Sequence, residues 1–267
     1  DERPPLPTRS VPCRPPPPEP GQRMQVLVLH GRQSNANLVN YQISGLKAAL
    51  GKDVDFHFLE GDVLWTFQEG RDLHDADQLS VSLSKGQPFK DWFGHATDDL
   101  RSRPDLFRQF DPGVKVSYEG ADAAVDKLLH RLQEEGPRID IVVGVFEGSI
   151  VVHLAVARLL QNGFPVPWRL SVLFGSLPIR DDSYAAPFAG GLRKADHATI
   201  HVFGRADEYY FYGRTGAGRG APEDYYQGAL VLEHGEGHRM PSVQPAAGRL
   251  LGRVAEEMHR LCSATST

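Results

Sequence analysis

The 267-residue chain reads as an α/β protein, a mainly parallel sheet with helices on both faces. Three observations predict this. Short apolar runs of strand length alternate with segments of helical spacing, the pattern of parallel strands joined by crossover helices. The first run, residues 24–30, is apolar almost throughout, as a strand buried on both faces must be. Residues with chemical potential stand directly after several runs, at the carboxyl ends where ligands of such sheets bind.

Residues 1–22 hold nine of the twenty prolines and almost no apolar side chains beyond Leu6 and Val11. Such a segment cannot offset its ordering entropy, and a disordered or polyproline-like tail is expected before a single domain at 23–267. Pro4, Pro7 and Arg9 fit a ligand pattern for SH3-type grooves, which makes an SH3-type partner for residues 4–9 one expectation. Proline-rich linkers match that pattern by chance, and a flexible tail is the preferred reading. Strands follow at 24–30 and 54–59, separated by a helical apolar face of Leu38, Tyr41, Leu46, Ala49 and Leu50. Residues 60–116 show no sustained period and carry Trp65, Phe67, Trp92 and Phe93, as expected of a long excursion over one end of the sheet. Ala121, Val125, Leu128, Leu129 and Leu132 mark a helix that ends before Gly136-Pro137. A strand at 139–145 is followed by a helix from about 148 to 160, and further strands are expected at 170–174, 199–203 and 229–233. The last helix is marked by Val243, Ala247, Leu250, Leu251, Val254, Met258 and Leu261. There is no internal repeat.

Composition excludes several functions. With 40% hydrophobic and 24% charged residues the chain can bury a sizeable core, and its net charge of −5 argues against nucleic acid or an anionic membrane as partner. No apolar run is long enough to cross a bilayer. Two cysteines at the extremes, Cys13 and Cys262, suggest a reducing, cytoplasmic setting rather than a disulfide framework. The first residue is Asp1, which points to a processed chain or one cut from a longer protein, and no secretion signal is evident. His234 and His238 are four apart, but intervening and following Gly and Pro make a zinc-type helix improbable, and His57, His74 and His95 are scattered. No metal and no cofactor are expected. The glycine-rich stretch 213–220 lacks a Gly-Lys-Ser/Thr ending and reads as a flexible loop. Tyr209, Tyr210, Phe211, Tyr212, Tyr225 and Tyr226 flank it, so residues 205–228 are expected to form a lid or a partner-binding surface.

The chemistry concentrates after the strands. Val145-Phe146-Glu147-Gly148 reads as the strand-to-helix turn on which an α/β-hydrolase mounts its serine, written Gly-x-Phe-x-Gly from Gly144 instead of Gly-x-Ser-x-Gly. The other strand ends carry His30-Gly31-Arg32-Gln33-Ser34, Gly204-Arg205-Ala206-Asp207 and His234-Gly235-Glu236-Gly237-His238-Arg239-Met240-Pro241. The order elbow, Asp, His is that of the hydrolase triad.

Taken with Leu29-His30-Gly31, Trp92-Phe93 and Gly136-Pro137, these motifs resemble the FSH family of serine hydrolases, esterases and thioesterases without a large separate cap domain. The resemblance covers about residues 24–262. It implies that Asp207 orients His238 as general base toward residue 146, and that Glu147 with Arg32 and Gln33 forms the oxyanion hole. It also implies a pocket around His30, Gly31, Trp92 and Phe93, with a small acyl ester or thioester as ligand. The departures are Phe146 at the serine position, Glu147 at the following Gln and Glu236 for a glycine. A benzyl group has no lone pair with which to attack a carbonyl. Ser149 and Ser34 are the substitute nucleophiles to weigh, although Ser149 starts several ångströms along the helix, using a rise of ~1.5 Å per residue. Two readings stay open: a hydrolase-family protein whose activity is lost or rerouted through Asp207 and His238, and a pseudoenzyme binding a ligand or protein through the former pocket and the aromatic loop.

Overall fold

The computed structural model describes residues 22–65, 78–96, 114–134, 138–185, 188, 194–207, 209, 221–241 and 245–263. The proline-rich tail, Phe67, His74, Gly136-Pro137, and most of the aromatic and glycine-rich loop lie outside these residues. Six parallel strands build the central sheet: β1 (Met24–Leu29), β2 (Val54–Leu59), β7 (Ile141–Val145), β8 (Leu170–Phe174), β9 (Ala198–Gly204) and β10 (Leu230–His234). Their spatial order is β10-β9-β8-β7-β1-β2. Strand β2 is added on one side of β1 and the later strands on the other, so the chain changes direction between β1 and β7. In open α/β sheets the crevice beyond such a switch point is where ligands bind.

Four short strands lie over the carboxyl end of the sheet: β3 (Val63–Leu64) pairs with β4 (Lys90–Asp91), and β5 (Gly94–Ala96) with β6 (Ser117–Glu119). The second ladder sets His95 opposite Tyr118. Helices α1 (Ala36–Gln42), α2 (Ser44–Leu50) and α7 (Pro245–Ser263) cover one face. Helices α4 (Ala121–Arg131) and α5 (Glu147–Gln161) cover the other, while α3 (Gln78–Leu83) and α6 (Asp182–Ala185) are short additions within the connections.

The apolar spacings of the sequence become these buried faces. Leu250, Leu251, Val254, Ala255, Met258 and Cys262 of α7 are buried against Val26, Val28 and Val143 of the sheet. Each fully buried Val, Leu or Met contributes roughly 1.5–3 kcal/mol relative to exposure, which ties down a helix near the chain terminus. Helix α5 is buried nearly all round because it lies between the sheet and α4. One expectation is corrected in detail: residues 36–50 form two helices, not one, because Ile43 takes φ −86° and ψ 9° at the junction and buries its side chain there. Tyr225 and Tyr226 are a second correction. Both are buried in the core, where the Tyr225 hydroxyl accepts from the Ile179 N–H at 3.0 Å and the Tyr226 hydroxyl meets His153 Nδ1 at 2.6 Å, so these two rings belong to packing and not to a lid or docking surface.

Beside Tyr226 the core holds two stacked imidazoles, His153 and His201, with centroids 5.9 Å apart. His153 is satisfied on both nitrogens, by Tyr226 and by Ser176 Oγ at 2.6 Å. Neither ring nitrogen of His201 has a partner among the described residues. Burial holds its pKa down to about 3, and burial with the neighbouring His201 pushes that of His153 well below the usual range. Below the unfolded histidine pKa of 6.5 the unfolded chain binds protons that the folded one excludes, so stability falls as pH drops from 6.5 toward 3. Replacing His201→Leu should make that fall shallower. Urea unfolding at about pH 7.5 and about pH 4.5 is expected to show a smaller acid loss in the variant, by roughly 2 kcal/mol.

Candidate active site

The turn between β7 and α5 fixes the centre of the site. Gly144 and Gly148 flank it because there is no room for side chains: a β-carbon on Gly148 would stand 2.6 Å from the His30 carbonyl oxygen, and one on Gly144 would stand 2.6 Å from the Ser149 Cα. Between them Phe146 takes φ 51° and ψ −113°, a conformation that disfavours a bulky residue by roughly 1–3 kcal/mol. Its N–H donates to the Phe174 carbonyl at 2.8 Å, and its own carbonyl accepts from the Ser149 N–H at 2.9 Å. The backbone of the nucleophile elbow is therefore built with phenylalanine upon it.

The ring has its own berth. A β-carbon at Gly175, whose φ is +57°, would stand 2.6 Å from Phe146 Cδ1, and one at Gly31 would stand 2.9 Å from Cδ2. The ring thus lies between two backbone segments that carry no side chain. Above it the imidazole of His238 sits with centroids 4.2 Å apart and planes inclined at 33°. Tyr209 approaches that imidazole at 4.4 Å.

His238 Nδ1–H donates to Asp207 Oδ2 at 2.8 Å. The other carboxylate oxygen of Asp207 accepts the Tyr209 N–H at 2.8 Å, and Asp207 is buried. This fixes the imidazole tautomer and leaves Nε2 as the nitrogen able to exchange a proton with a ligand. The two strand ends that supply the pair are locked by backbone bonds, Arg205 N–H to the His234 carbonyl and Ala206 N–H to the Glu236 carbonyl.

On the opposite side the loop after β1 is organised by Asp91. One oxygen accepts the Gln33 N–H at 2.6 Å, stabilising that residue at φ 51°, and the other pairs with the Arg32 guanidinium at 3.4 Å. Burial, reinforced by the charge of Glu147, raises the Asp91 pKa. The expectation that Gln33 lends its N–H to an oxyanion is thereby corrected: that hydrogen is already given to a carboxylate. Glu147 occupies the first position of α5, where helical geometry supplies its N–H with no acceptor. Its carboxylate accepts from the Trp92 N–H at 3.0 Å and pairs with His95 Nε2 at 2.8 Å.

A cavity of about 100 Å³ opens here, lined by Arg32, His95, Tyr118, Phe146, Glu147, Ile150, Leu177, Pro178, Arg180, Tyr209 and His238. Of the residues singled out by the motifs, Arg32, Phe146, Glu147 and His238 line this cavity, and Asp207 stands behind His238, bonded to it. His30, Trp92 and Phe93 are a correction. They are fully buried beneath the site, with the His30 and Trp92 rings stacked at 5.0 Å and Trp92 Nε1–H donating to the His30 carbonyl, and do not line the cavity. His30 Nδ1–H donates to the Gly31 carbonyl and Nε2 accepts from Gly61, so it braces the loop while burial lowers its pKa. A β-carbon on Gly31 would run into Phe146, so this residue borders the elbow side chain. The Ser149 hydroxyl donates back to the Phe146 carbonyl, and Ser34 is buried away from the cavity wall. Among the described residues no cluster of metal-ligating side chains occurs, and no helix is long and apolar enough to cross a membrane.

Sequence reasoning missed His95, Tyr118 and Arg180. Arg180 follows β8, and the rule that chemistry gathers after strands would have pointed to residues 175–180. Nothing in the sequence pairs His95 with Tyr118, since their ladder joins segments some twenty residues apart.

A six-stranded parallel sheet, an elbow at its switch point and an Asp–His pair after β9 and β10 define the α/β-hydrolase fold. A family model described as serine hydrolase (FSH1) matches residues 20–249, and the chain belongs to that family. It is 22% identical over 245 residues to esterase FPY3 of Fusarium mangiferae, covering 88% of this chain and 96% of that one. Among solved structures, SOBER1 of Arabidopsis thaliana superposes with a TM-score of 0.54 at 13% identity, covering 89% of this chain and 98% of that one. Esterase PE8 superposes at 0.52 with 15% identity, covering 93% and 98%.

The berth of the ring makes a prediction. Gly175→Ala should destabilise the protein by roughly 2 kcal/mol through clash with Phe146 and strain at positive φ, and only the clash should vanish when Phe146 is also replaced by Ser. A double-mutant cycle read by urea unfolding is expected to show coupling of at least about 1 kcal/mol.

Proposed function

We propose that this family member has lost covalent ester hydrolysis at residue 146 and acts through His238 as a general base oriented by Asp207. The single observation that carries this reading is the 2.8 Å Asp207–His238 bond beside a cavity that the Phe146 ring borders without filling. An Asp–His pair can take a proton from water or from a bound molecule without any covalent intermediate. Removing the nucleophile from a triad lowers turnover on the order of 10⁶-fold, a loss that binding and oxyanion stabilisation do not make good. Neither serine considered as substitute supports a rescue, because the Ser149 proton is directed to a backbone carbonyl and Ser34 is absent from the cavity wall. The cavity is smaller than the ~150 Å³ that encloses a benzene molecule, which favours a small acyl or oxo group over a long chain.

A second reading, binding without chemistry, is favoured by one observation: Phe146 and Tyr209 both approach the His238 ring, at 4.2 and 4.4 Å, and limit access to it. The loop 205–228 supports it less, since Tyr225 and Tyr226 are core residues.

Phe146→Ser separates these possibilities. Esterase activity on p-nitrophenyl acetate is expected to rise at least ~100-fold over the native protein and to disappear again on adding His238→Ala. The native protein should stay unlabelled by a fluorophosphonate probe. A correctly folded Phe146→Ser protein without activity would show that His238 and the remaining donors are not aligned, and a labelled native serine would overturn the loss of covalent chemistry.

A further inference from the structure

The cavity that His238 lines is also lined by a second imidazole with its own carboxylate. His95 Nε2 lies 2.8 Å from Glu147 Oε1, and the side chains of the pair are only 13% and 4% exposed. Both residues, like His238, line the same cavity. Glu147 is held from two further directions, by the Trp92 N–H and by its place at the start of α5, so it is a fixed partner rather than a mobile surface acid. His95 is clamped by aromatic contacts, with Phe93 at 5.1 Å and Tyr118 at 5.3 Å. The two pairs are alike in construction: each imidazole gives one nitrogen to a buried carboxylate and keeps the other for a ligand, Nε2 in His238 and Nδ1 in His95.

We propose that His95, backed by Glu147, is a second proton-transfer group, and that the cavity catalyses enolisation of a small carbonyl compound between His95 and His238. This rests on the reading of His238 as a general base. In the step, one imidazole enters neutral and takes a proton from the carbon next to the carbonyl. The C–H electron pair becomes the C=C bond, the carbonyl π pair moves to oxygen, and the other imidazole, entering protonated, delivers its proton there. The enol reverts by the opposite transfers, so that protons are conserved and no oxidant, metal or leaving group is needed. Two cationic residues, Arg32 and Arg180, also belong to the wall. A carbonyl compound that also carries a carboxylate is the substrate class these charges suit. Groups that face the two imidazoles are Asp207 and Tyr209 at His238, and Glu147 and Tyr118 at His95.

The test is solvent exchange followed by NMR in deuterated water, with the full chain and four probes: pyruvate, 2-oxobutanoate, acetoacetate and hydroxyacetone. Deuterium should enter the carbon next to the carbonyl faster than in buffer, with the three acids ahead of the neutral probe. His95→Gln and His238→Gln should each slow exchange at least ~100-fold, and each should remove a limb of the pH profile and not merely scale it. Glu147→Gln, which keeps a hydrogen-bond acceptor, should retain more activity than Glu147→Ala, with thermal unfolding showing all variants folded. Exchange that needs His238 but not His95 would leave the general-base reading standing and remove the second pair. Exchange that needs neither would mean that it arises elsewhere and overturn both. No exchange with any probe would overturn the enolisation proposal, while esterase gain in Phe146→Ser would still uphold the alignment of His238.

Discussion

The close approach of α5 to β1 at Gly148 is the constraint from which the rest of the site follows. Because no β-carbon fits against the carbonyls of Leu29 and His30, the helix start is pressed onto the end of the neighbouring strand, and the chain must turn sharply within one residue. That residue is Phe146, held at positive φ by bonds on either side of it. The same contact sets Glu147 at the helix start, where its carboxylate reaches the Trp92 N–H and His95, and brings the loop after β1 beside the ring. A different residue at 148 would loosen all three together. The loop with Asp91, the Asp207–His238 pair and the bracing His30 are arranged around a point that backbone packing has already determined.

Each acid close to the cavity has a named partner: Asp207 with His238, Glu147 with His95, Asp91 with Arg32 and the Gln33 N–H. Unpaired buried charge is costly, and hydrogen bonds from fixed donors offset part of that cost, although burial still prevails at Asp91. In the proposed mechanism, two imidazoles on one cavity wall stand in for the single proton path of a serine hydrolase. On the proposed reading, this is what a hydrolase site can become when its attacking oxygen is gone but its base, its buried acids and its cavity are not.

The fold was largely legible in the sequence, and physically so. Runs such as 24–30 and 141–145 are apolar because the strands are covered on both faces, and the spacing of Leu250, Val254 and Met258 is set by the helix pitch. The elbow could be read because glycines at 144 and 148 answer a steric demand that any nucleophile, or none, leaves unchanged. That Asp207 and His238 stand together, bonded at 2.8 Å, agrees with the order of the motifs along the chain and their places after β9 and β10. What could not be read was contact between distant irregular segments. The pairing of His95 with Glu147, and of Asp91 with Gln33, depends on short ladders and loops between residues 60 and 120 that have no periodicity of their own. Tyr225 and Tyr226 misled because aromatic density in a glycine-rich neighbourhood looks like surface until the core behind it is seen.

The berth of Phe146 between Gly31 and Gly175 also shapes how the chain can change over time. With the ring in place, a side chain gained at either glycine meets it at once and is penalised as misfolding, whatever happens to catalysis. Fold stability alone therefore disfavours side chains at the two glycines beside the elbow, independently of any catalytic role. On the proposed reading, the hydrocarbon that ended hydrolysis is also what holds the two glycine segments apart and keeps the door frame square.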